Sequence, residues 1–191
     1  MSTMETMKFP RGAEREYLTI LGIVAIYVAT MPTGACIVGS TGDLHRSLQH
    51  IRRCSSGAEI NFALWVKDRR AADAIVREVN SPGHRAETSA DPVQQIRIVA
   101  EALNIPVTEH DVVMARVSAA AELIERKIAE ASRSGELKWF NEAYRTWRMS
   151  RGRAMTYRAA RARLRKAVMQ SGLSADGAMT RELLPAIFHQ N

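Results

Sequence analysis

Apolar residues at positions 17–80 change along the chain between the spacing of strands and the spacing of helices. From Tyr17 the pattern is β-like, and branched and aromatic residues dominate from Ile23 to Val28, which is typical of a buried strand. Residues 31–34 (MPTG) indicate a turn, because proline presets one backbone angle of a turn and glycine tolerates a positive φ. The pattern therefore predicts a hairpin whose second strand covers residues 35–38.

Two helices and a third strand are predicted after this hairpin. Asp43 can cap a helix that runs to about residue 53, with apolar residues at i, i+4 and i+7. Residues 60–66 (INFALWV) have the composition of a strand, and Asp68 can cap a helix that ends near residue 79. The order β-β-α-β-α predicts an α+β N-terminal domain with a small three-stranded sheet at residues 17–80, after a flexible N-terminus at residues 1–16.

The rest of the chain is predicted to be helical. Proline, glycine and polar residues at 81–90 favour a linker. Asp91 and Pro92 are a helix start, since aspartate caps a helix and proline suits its first position. Three further helices are expected at about 108–134, 137–149 and 156–170. We therefore expect an all-α, basic C-terminal region at residues 91–191.

The positive charge of the chain is concentrated in one segment. The 191 residues carry a net charge of +7 and have an isoelectric point of about 9.9. Residues 138–166 hold ten lysines and arginines against the single acid Glu142, which gives this segment +9 and leaves −2 for the remainder. The composition indicates a nearly neutral body joined to a cationic segment.

Such a segment favours a polyanionic partner, because release of counterions from the polyanion drives binding. In the last predicted helix, Arg158, Arg161 and Arg165 share one face. The predicted nucleic-acid-binding residues are therefore the basic ones from this segment: Arg145, Arg148, Arg151, Arg153, Arg158, Arg161, Arg165 and Lys166. The interleaved aromatic residues (Trp139, Phe140, Tyr144 and Trp147) fall on one broad helix face, and this spacing favours packing against the preceding long helix.

Cysteine usage and hydropathy indicate an intracellular protein. The two cysteines, Cys36 and Cys54, have neither the spacing of a metal site nor the density of a disulfide framework. The one apolar run, at residues 18–31, is about six residues shorter than the roughly twenty that span a bilayer. The apolar counterface of the last basic helix is rich in alanine, which disfavours insertion into a membrane surface. We expect a cytoplasmic location and no membrane partner.

Residues 26–50 (IYVATMPTGACIVGSTGDLHRSLQH) resemble the opening of the GIY-YIG nuclease domain. Residues 25–27 (AIY) stand at the first motif, residues 37–39 (IVG) stand at the second, and the loop and helix start at residues 40–44 match as well. The β-β-α-β-α order agrees with that family, and the resemblance covers residues 23–79. It implies a GIY-YIG-like fold for the N-terminal domain and phosphodiester cleavage as the ancestral chemistry.

The resemblance also implies roles for particular side chains. In the family, a tyrosine activates water, an arginine steadies the phosphate and a helix glutamate holds one divalent metal. Tyr27 matches the tyrosine, but the arginine position falls on Ser47, one residue after Arg46, and the glutamate position falls near Val76. The candidate catalytic residues are thus Tyr27 and Arg46, and Glu78 is the candidate metal ligand from the same helix.

Three functions are consistent with this sequence. The first is binding of nucleic acid, most of all DNA, by a protein whose nuclease-like domain is inactive and needs no cofactor. The second is a metal-dependent DNA endonuclease with displaced catalytic residues, which would use Mg²⁺. The third is an adaptor whose basic helices bind an acidic protein. The sequence leaves the enzyme question and the oligomeric state open.

Overall fold

The computed structural model describes residues 7–81, 91–150, 155–170 and 181–188. The chain divides into two compact units. The first, here called the sheet unit, comprises Met1–Arg11 and Leu21–Arg116, and the second, the helical unit, comprises Gly12–Ile20 and Val117–Asn191. Apart from Ser81, the linker predicted at 81–90 lies outside the described residues.

The sheet unit contains four antiparallel strands in the order β2-β1-β3-β4. The strands are β1 (Val24–Thr30), β2 (Cys36–Thr41), β3 (Glu59–Val66) and β4 (Thr108–Glu109). The predicted mixture of a small sheet and helices is confirmed, and the third strand forms where the pattern placed it. The hairpin also forms, but β2 continues through Gly39 to Thr41, whereas the sequence predicted that this strand ends at residue 38. The fourth strand was not predicted, because two residues are too few to show any period.

Among the described residues, three helices lie wholly within the same unit: α2 (Leu44–Cys54), α3 (Arg69–Val79) and α4 (Pro92–Ala102). Each starts at the aspartate predicted to cap it, since Asp43, Asp68 and Asp91 accept hydrogen bonds from backbone N–H groups of the first turn at 2.9–3.1 Å. Ile96 of α4 is fully buried in one cluster with sheet residues and α3. Helix α4 therefore packs with the sheet, although the sequence grouped it with the C-terminal helices.

A buried histidine ties three segments of the sheet unit together. Trp65 Nε1 donates a hydrogen bond to His110 Nδ1 at 3.1 Å, and His110 Nε2 lies 2.7 Å from the backbone oxygen of Lys8. Because Nδ1 accepts, the ring proton sits on Nε2, which donates to Lys8. Lys8 is thus bonded to the core of this unit, within a segment that the sequence predicted to be flexible.

The structure also corrects the start of the β-like pattern. Residues from Tyr17 were predicted to be extended, but helix α1 (Ala13–Leu21) includes them. Its residues AEREYLTIL carry apolar positions at helical spacing, and the Thr19 hydroxyl bonds to the Arg15 carbonyl. Gly22, with a φ of +68°, ends the helix, so the strand begins only at Val24.

The helical unit holds most of α1 together with α6 (Lys138–Ser150), α7 (Tyr157–Gln170), a 3-10 turn (Arg181–Leu183) and α8 (Leu184–Phe188). The long helix α5 (His110–Ser134) contributes its residues from Val117 onward. Phe140, Leu164 and Ile187 are buried in its core with Ile124 and Ile128 of α5. The predicted packing of the aromatic residues against the long helix is therefore confirmed. None of the helices in the described ranges combines the length and apolar character needed to cross a membrane.

Candidate functional site

Tyr27 occupies a position that only a glycine neighbour permits. Strand β1 places Tyr27 directly opposite Gly39 of β2. A Cβ atom on residue 39 would lie 2.6 Å from the Tyr27 Oη atom and 2.7 Å from Cζ, well inside van der Waals contact. The Tyr27 ring therefore packs against the bare backbone of Gly39, and this close approach fixes where the phenol lies.

The hydroxyl of Tyr27 contacts the N-terminal half of α2. It shares a hydrogen bond with the side chain of Ser47. Burial raises the pKa of Tyr27 above its ordinary value near 10, and the Ser47 hydrogen bond offsets only part of that rise. At neutral pH the phenol is therefore un-ionised and acts as a hydrogen-bonding group.

A pocket of about 540 Å³ opens where β1 and β2 meet α2. Its α2 wall follows the helical spacing, because Arg46, His50 and Arg53 stand at i, i+4 and i+7 and so lie on one face. The lining combines this face with hydroxyl, amide and apolar groups: Tyr27, Thr41, Arg46, Ser47, Gln49, His50, Ile51 and Arg53. We call this cavity the α2 pocket.

The chemistry of the α2 pocket suits an anion. Two guanidinium groups and one imidazole lie at its wall, and the described lining contains no carboxylate. Arginine binds phosphate through a planar fork of N–H donors, and a hydroxyl group such as that of Ser47 adds a further donor. The Thr41 hydroxyl instead donates to the backbone oxygen of Asp43 at 3.1 Å. Asp43 directly precedes α2, and its carboxylate caps the helix by accepting a hydrogen bond from the backbone N–H of Arg46.

The predicted catalytic set is only partly assembled. Tyr27 and Arg46 line the same pocket, whereas Glu78 lies exposed on α3 and does not line it. Asp73, the other acid of that helix, accepts a hydrogen bond from Ser40 at 2.9 Å and lies 3.8 Å from Arg69. Within the described ranges, no group of three histidine, cysteine or acidic side chains could hold a metal ion.

Four of the eight predicted nucleic-acid-binding residues lie exposed on the helical unit. They are Arg145 and Arg148 on α6 and Arg158 and Lys166 on α7. None of the four forms an ion pair among the residues that the structure describes. Arg151 and Arg153 lie outside the described residues.

The other two predicted residues are engaged within the protein. Arg165 is only 16% exposed and donates two hydrogen bonds of 2.9 Å to the carboxylate of Glu16 on α1. It also lies 3.2 Å from Glu125, and hydrogen bonding to Glu16 is the largest cause of its raised pKa. Arg161 lies 3.8 Å from the same Glu125. The sequence predicted one exposed face for Arg158, Arg161 and Arg165, and the structure separates Arg158 from the two that are paired.

Comparison with family models, with curated proteins and with solved structures finds no match for this chain. The resemblance at residues 23–79 thus stays a prediction. Neither His50 nor Arg53 was predicted from the sequence as a pocket residue. Their spacing from Arg46 in a helix without acidic residues was the signal that pointed to them.

Proposed function

We propose that this protein binds nucleic acid and that the α2 pocket accepts a backbone phosphate. The observation that carries the proposal is that Arg46, His50 and Arg53, on one face of α2, line a single pocket with the hydroxyl groups of Tyr27 and Ser47. A phosphate diester offers the charge and the acceptor oxygens that such donors satisfy. The exposed cations of the helical unit add further phosphate contacts that carry no sequence information.

Salt dependence measures the electrostatic part of this binding. Contacts with about four to six phosphates give a slope of log affinity against log salt of roughly −3 to −5. We expect this slope when affinity for a labelled oligonucleotide of about twenty nucleotides is measured by fluorescence anisotropy at several salt concentrations. Tighter binding to heparin and to an acidic protein than to nucleic acid, at equal salt, would instead favour the adaptor function.

A charge-matched pair of variants tests the role of the pocket. Arg46→Gln with Arg53→Gln removes two positive charges from the α2 pocket, and Arg70→Gln with Arg77→Gln removes two from exposed positions of α3 outside it. We expect the first pair to weaken binding by about tenfold, because charge-assisted hydrogen bonds are lost. The second pair should change affinity by less than about threefold, since it alters only the general field of the molecule. Equal losses in the two variants would contradict a pocket site.

An endonuclease is the second candidate function, because Tyr27 and Arg46 line one pocket, as the resemblance implies. The described residues fit a metal poorly there, since Glu78 is not part of the lining. An un-ionised tyrosine is also a weak base at neutral pH. We therefore expect no robust nicking of supercoiled plasmid with Mg²⁺ or Mn²⁺. Nicking that Tyr27→Phe abolishes would replace the binding proposal with catalysis.

A further inference from the structure

Tyr157, at the start of α7, presents a large ring to solvent while its position is fixed. It is 44% exposed, yet its hydroxyl donates a hydrogen bond to the Asn141 Oδ1 atom at 3.1 Å. Its ring centroid lies 5.3 Å from that of Tyr144, edge to face, and 6.0 Å from that of Phe140. The ring is thus held at its hydroxyl end and on its protein side, and the remaining surface is open.

The groups that hold Tyr157 are themselves anchored. Phe140 is fully buried in the core of the helical unit, and the Tyr144 hydroxyl donates to the backbone oxygen of Met155 at 2.9 Å. A ring held in this way loses little conformational freedom when a ligand binds on it. An exposed aromatic side chain in a fixed orientation is suited to stacking.

Basic residues follow both Tyr157 and Asn141, the residue that holds its hydroxyl, along their helices. Asn141, Arg145 and Arg148 stand at i, i+4 and i+7 of α6, so Arg145 lies one helical turn from the residue that holds the Tyr157 hydroxyl. Arg158 follows Tyr157 directly, and all three arginines are exposed. Glu142, which follows Asn141 in sequence, lies 3.4 Å from Arg181.

We propose that Tyr157 is a stacking platform for one base of a single-stranded nucleic acid, with Arg145, Arg148 and Arg158 contacting the flanking phosphates. This inference rests on the proposed function and specifies its ligand as a strand with unpaired bases. A base in a duplex has both faces covered by its neighbours, so only an unpaired base is free to stack on the ring. Aromatic stacking accepts every base, which predicts weak sequence preference and a clear preference for single strands.

The experiment compares two labelled fifteen-residue strands of equal charge, oligothymidylate and an abasic deoxyribose-phosphate strand. Fluorescence anisotropy with the full chain should show about tenfold tighter binding of the strand that carries bases. Tyr157→Leu should remove most of this difference and leave affinity for the abasic strand unchanged. Tyr157→Phe, which keeps the ring and loses only the bond to Asn141, should retain most of it.

Arg148→Gln is the matched control, because it removes a charge and leaves the platform intact. It should weaken binding of both strands by the same factor and leave their ratio unchanged. Circular dichroism checks that Tyr157→Leu is folded; if it is not, the wild-type ratio and Tyr157→Phe still decide the question. Equal affinity of the wild type for the two strands would overturn the platform alone, whereas binding of neither strand nor of duplex would overturn the proposed function as well.

Discussion

Helices α2 and α7 are both rich in arginine, but the protein itself engages more of the arginines of α7 than of α2. Neither contains an acidic residue, and both carry several basic ones: LHRSLQHIRRC in α2 and YRAARARLRKAVMQ in α7. Arg46 and Arg53 of α2 line an open pocket. Arg165 of α7 is bonded to Glu16 at 2.9 Å, and Arg163 donates to the Ile187 backbone oxygen at 3.1 Å. The number of charges in a segment is therefore not the number available to a ligand.

The two helices differ in whether acidic residues from distant parts of the sequence form ion pairs with their arginines. Glu16 lies 149 positions before Arg165, and Glu125 contributes from α5, so α7 obtains counterions that its own sequence lacks. Among the described residues, Arg46 and Arg53 of α2 make no such pair. An arginine that is paired and partly buried stabilises a fold, while an exposed one at a pocket wall is free to bind. Stability and affinity should thus respond to different arginines.

The largest expected effect is on the paired arginine. Arg165→Gln leaves Glu16 without its two charge-assisted hydrogen bonds, and we expect a loss of about 2–3 kcal/mol in the free energy of unfolding, measured by urea denaturation. This loss is smaller than for a fully buried pair because the Glu16 side chain is 26% exposed. Nucleic-acid affinity of the folded variant should change little.

The control for Arg165 is Arg158→Gln, an exposed change on the same helix that should alter the free energy of unfolding by less than about 0.5 kcal/mol. A double-mutant cycle with Glu16→Gln isolates the pair, and its coupling energy should account for most of the loss. If Arg158→Gln destabilised the protein as much as Arg165→Gln does, the contrast between paired and exposed arginines would fail.

Sequence patterns recovered the local features of both regions. The turn at residues 31–34, the caps at Asp43, Asp68 and Asp91, and the core role of Phe140 each follow from neighbouring residues, and each is confirmed. The prediction of extended structure from Tyr17 was wrong, because branched residues continue across Gly22 and conceal the boundary between helix α1 and strand β1. Local pattern does not distinguish these states where apolar residues run on without a polar break.

The candidate site was likewise predicted only in its local features. Tyr27 follows from the motif, and Arg46 was chosen because it adjoins the motif's arginine position at Ser47; both line one pocket. The pairing of Arg165 with Glu16 was not predictable, because it depends on the docking of α1 within the helical unit rather than on any spacing. The close contact between Tyr27 and Gly39 depends on strand register, which a single sequence specifies only through its turn.

The second expected effect concerns that contact in the sheet unit. Gly39→Ala places a methyl group 2.6–2.7 Å from atoms of the Tyr27 ring, so the ring or the strand must move. We expect a loss of about 1–3 kcal/mol in the free energy of unfolding, typical of overpacking. Affinity for nucleic acid should also fall, because the Tyr27 side of the α2 pocket is displaced.

Shortening the tyrosine separates crowding from a general intolerance of side chains at position 39. In the Tyr27→Ala background the three atoms nearest to the added methyl group are absent, so Gly39→Ala should cost less than about 0.5 kcal/mol there. A cost that is the same in both backgrounds would mean that the glycine serves the strand and not the tyrosine.

The smallest expected effect is the ionisation of Tyr27, which bears on whether this tyrosine can act as a base. Burial raises its pKa above the value near 10 that it has in the unfolded chain. Below about pH 10 both states hold the proton, so the full contribution to stability is present. As the pH rises past 10 the unfolded state loses the proton first, and stability falls until the pH passes the folded pKa.

Urea denaturation at pH 8 to 11 should therefore show a steeper alkaline loss of stability for the wild type than for Tyr27→Phe, which has no such proton. The lysines and arginines titrate alike in the two proteins, so the difference between their curves belongs to Tyr27. Ser47→Ala removes the hydrogen bond that lowers this pKa and should shift the ionisation of Tyr27, followed by ultraviolet absorbance, to still higher pH. If Tyr27 instead ionised below the other three tyrosines of the chain, the α2 pocket would be favouring a phenolate. Its cationic wall would then serve to activate a base, and the contrast with α7 would be one between catalysis and stability.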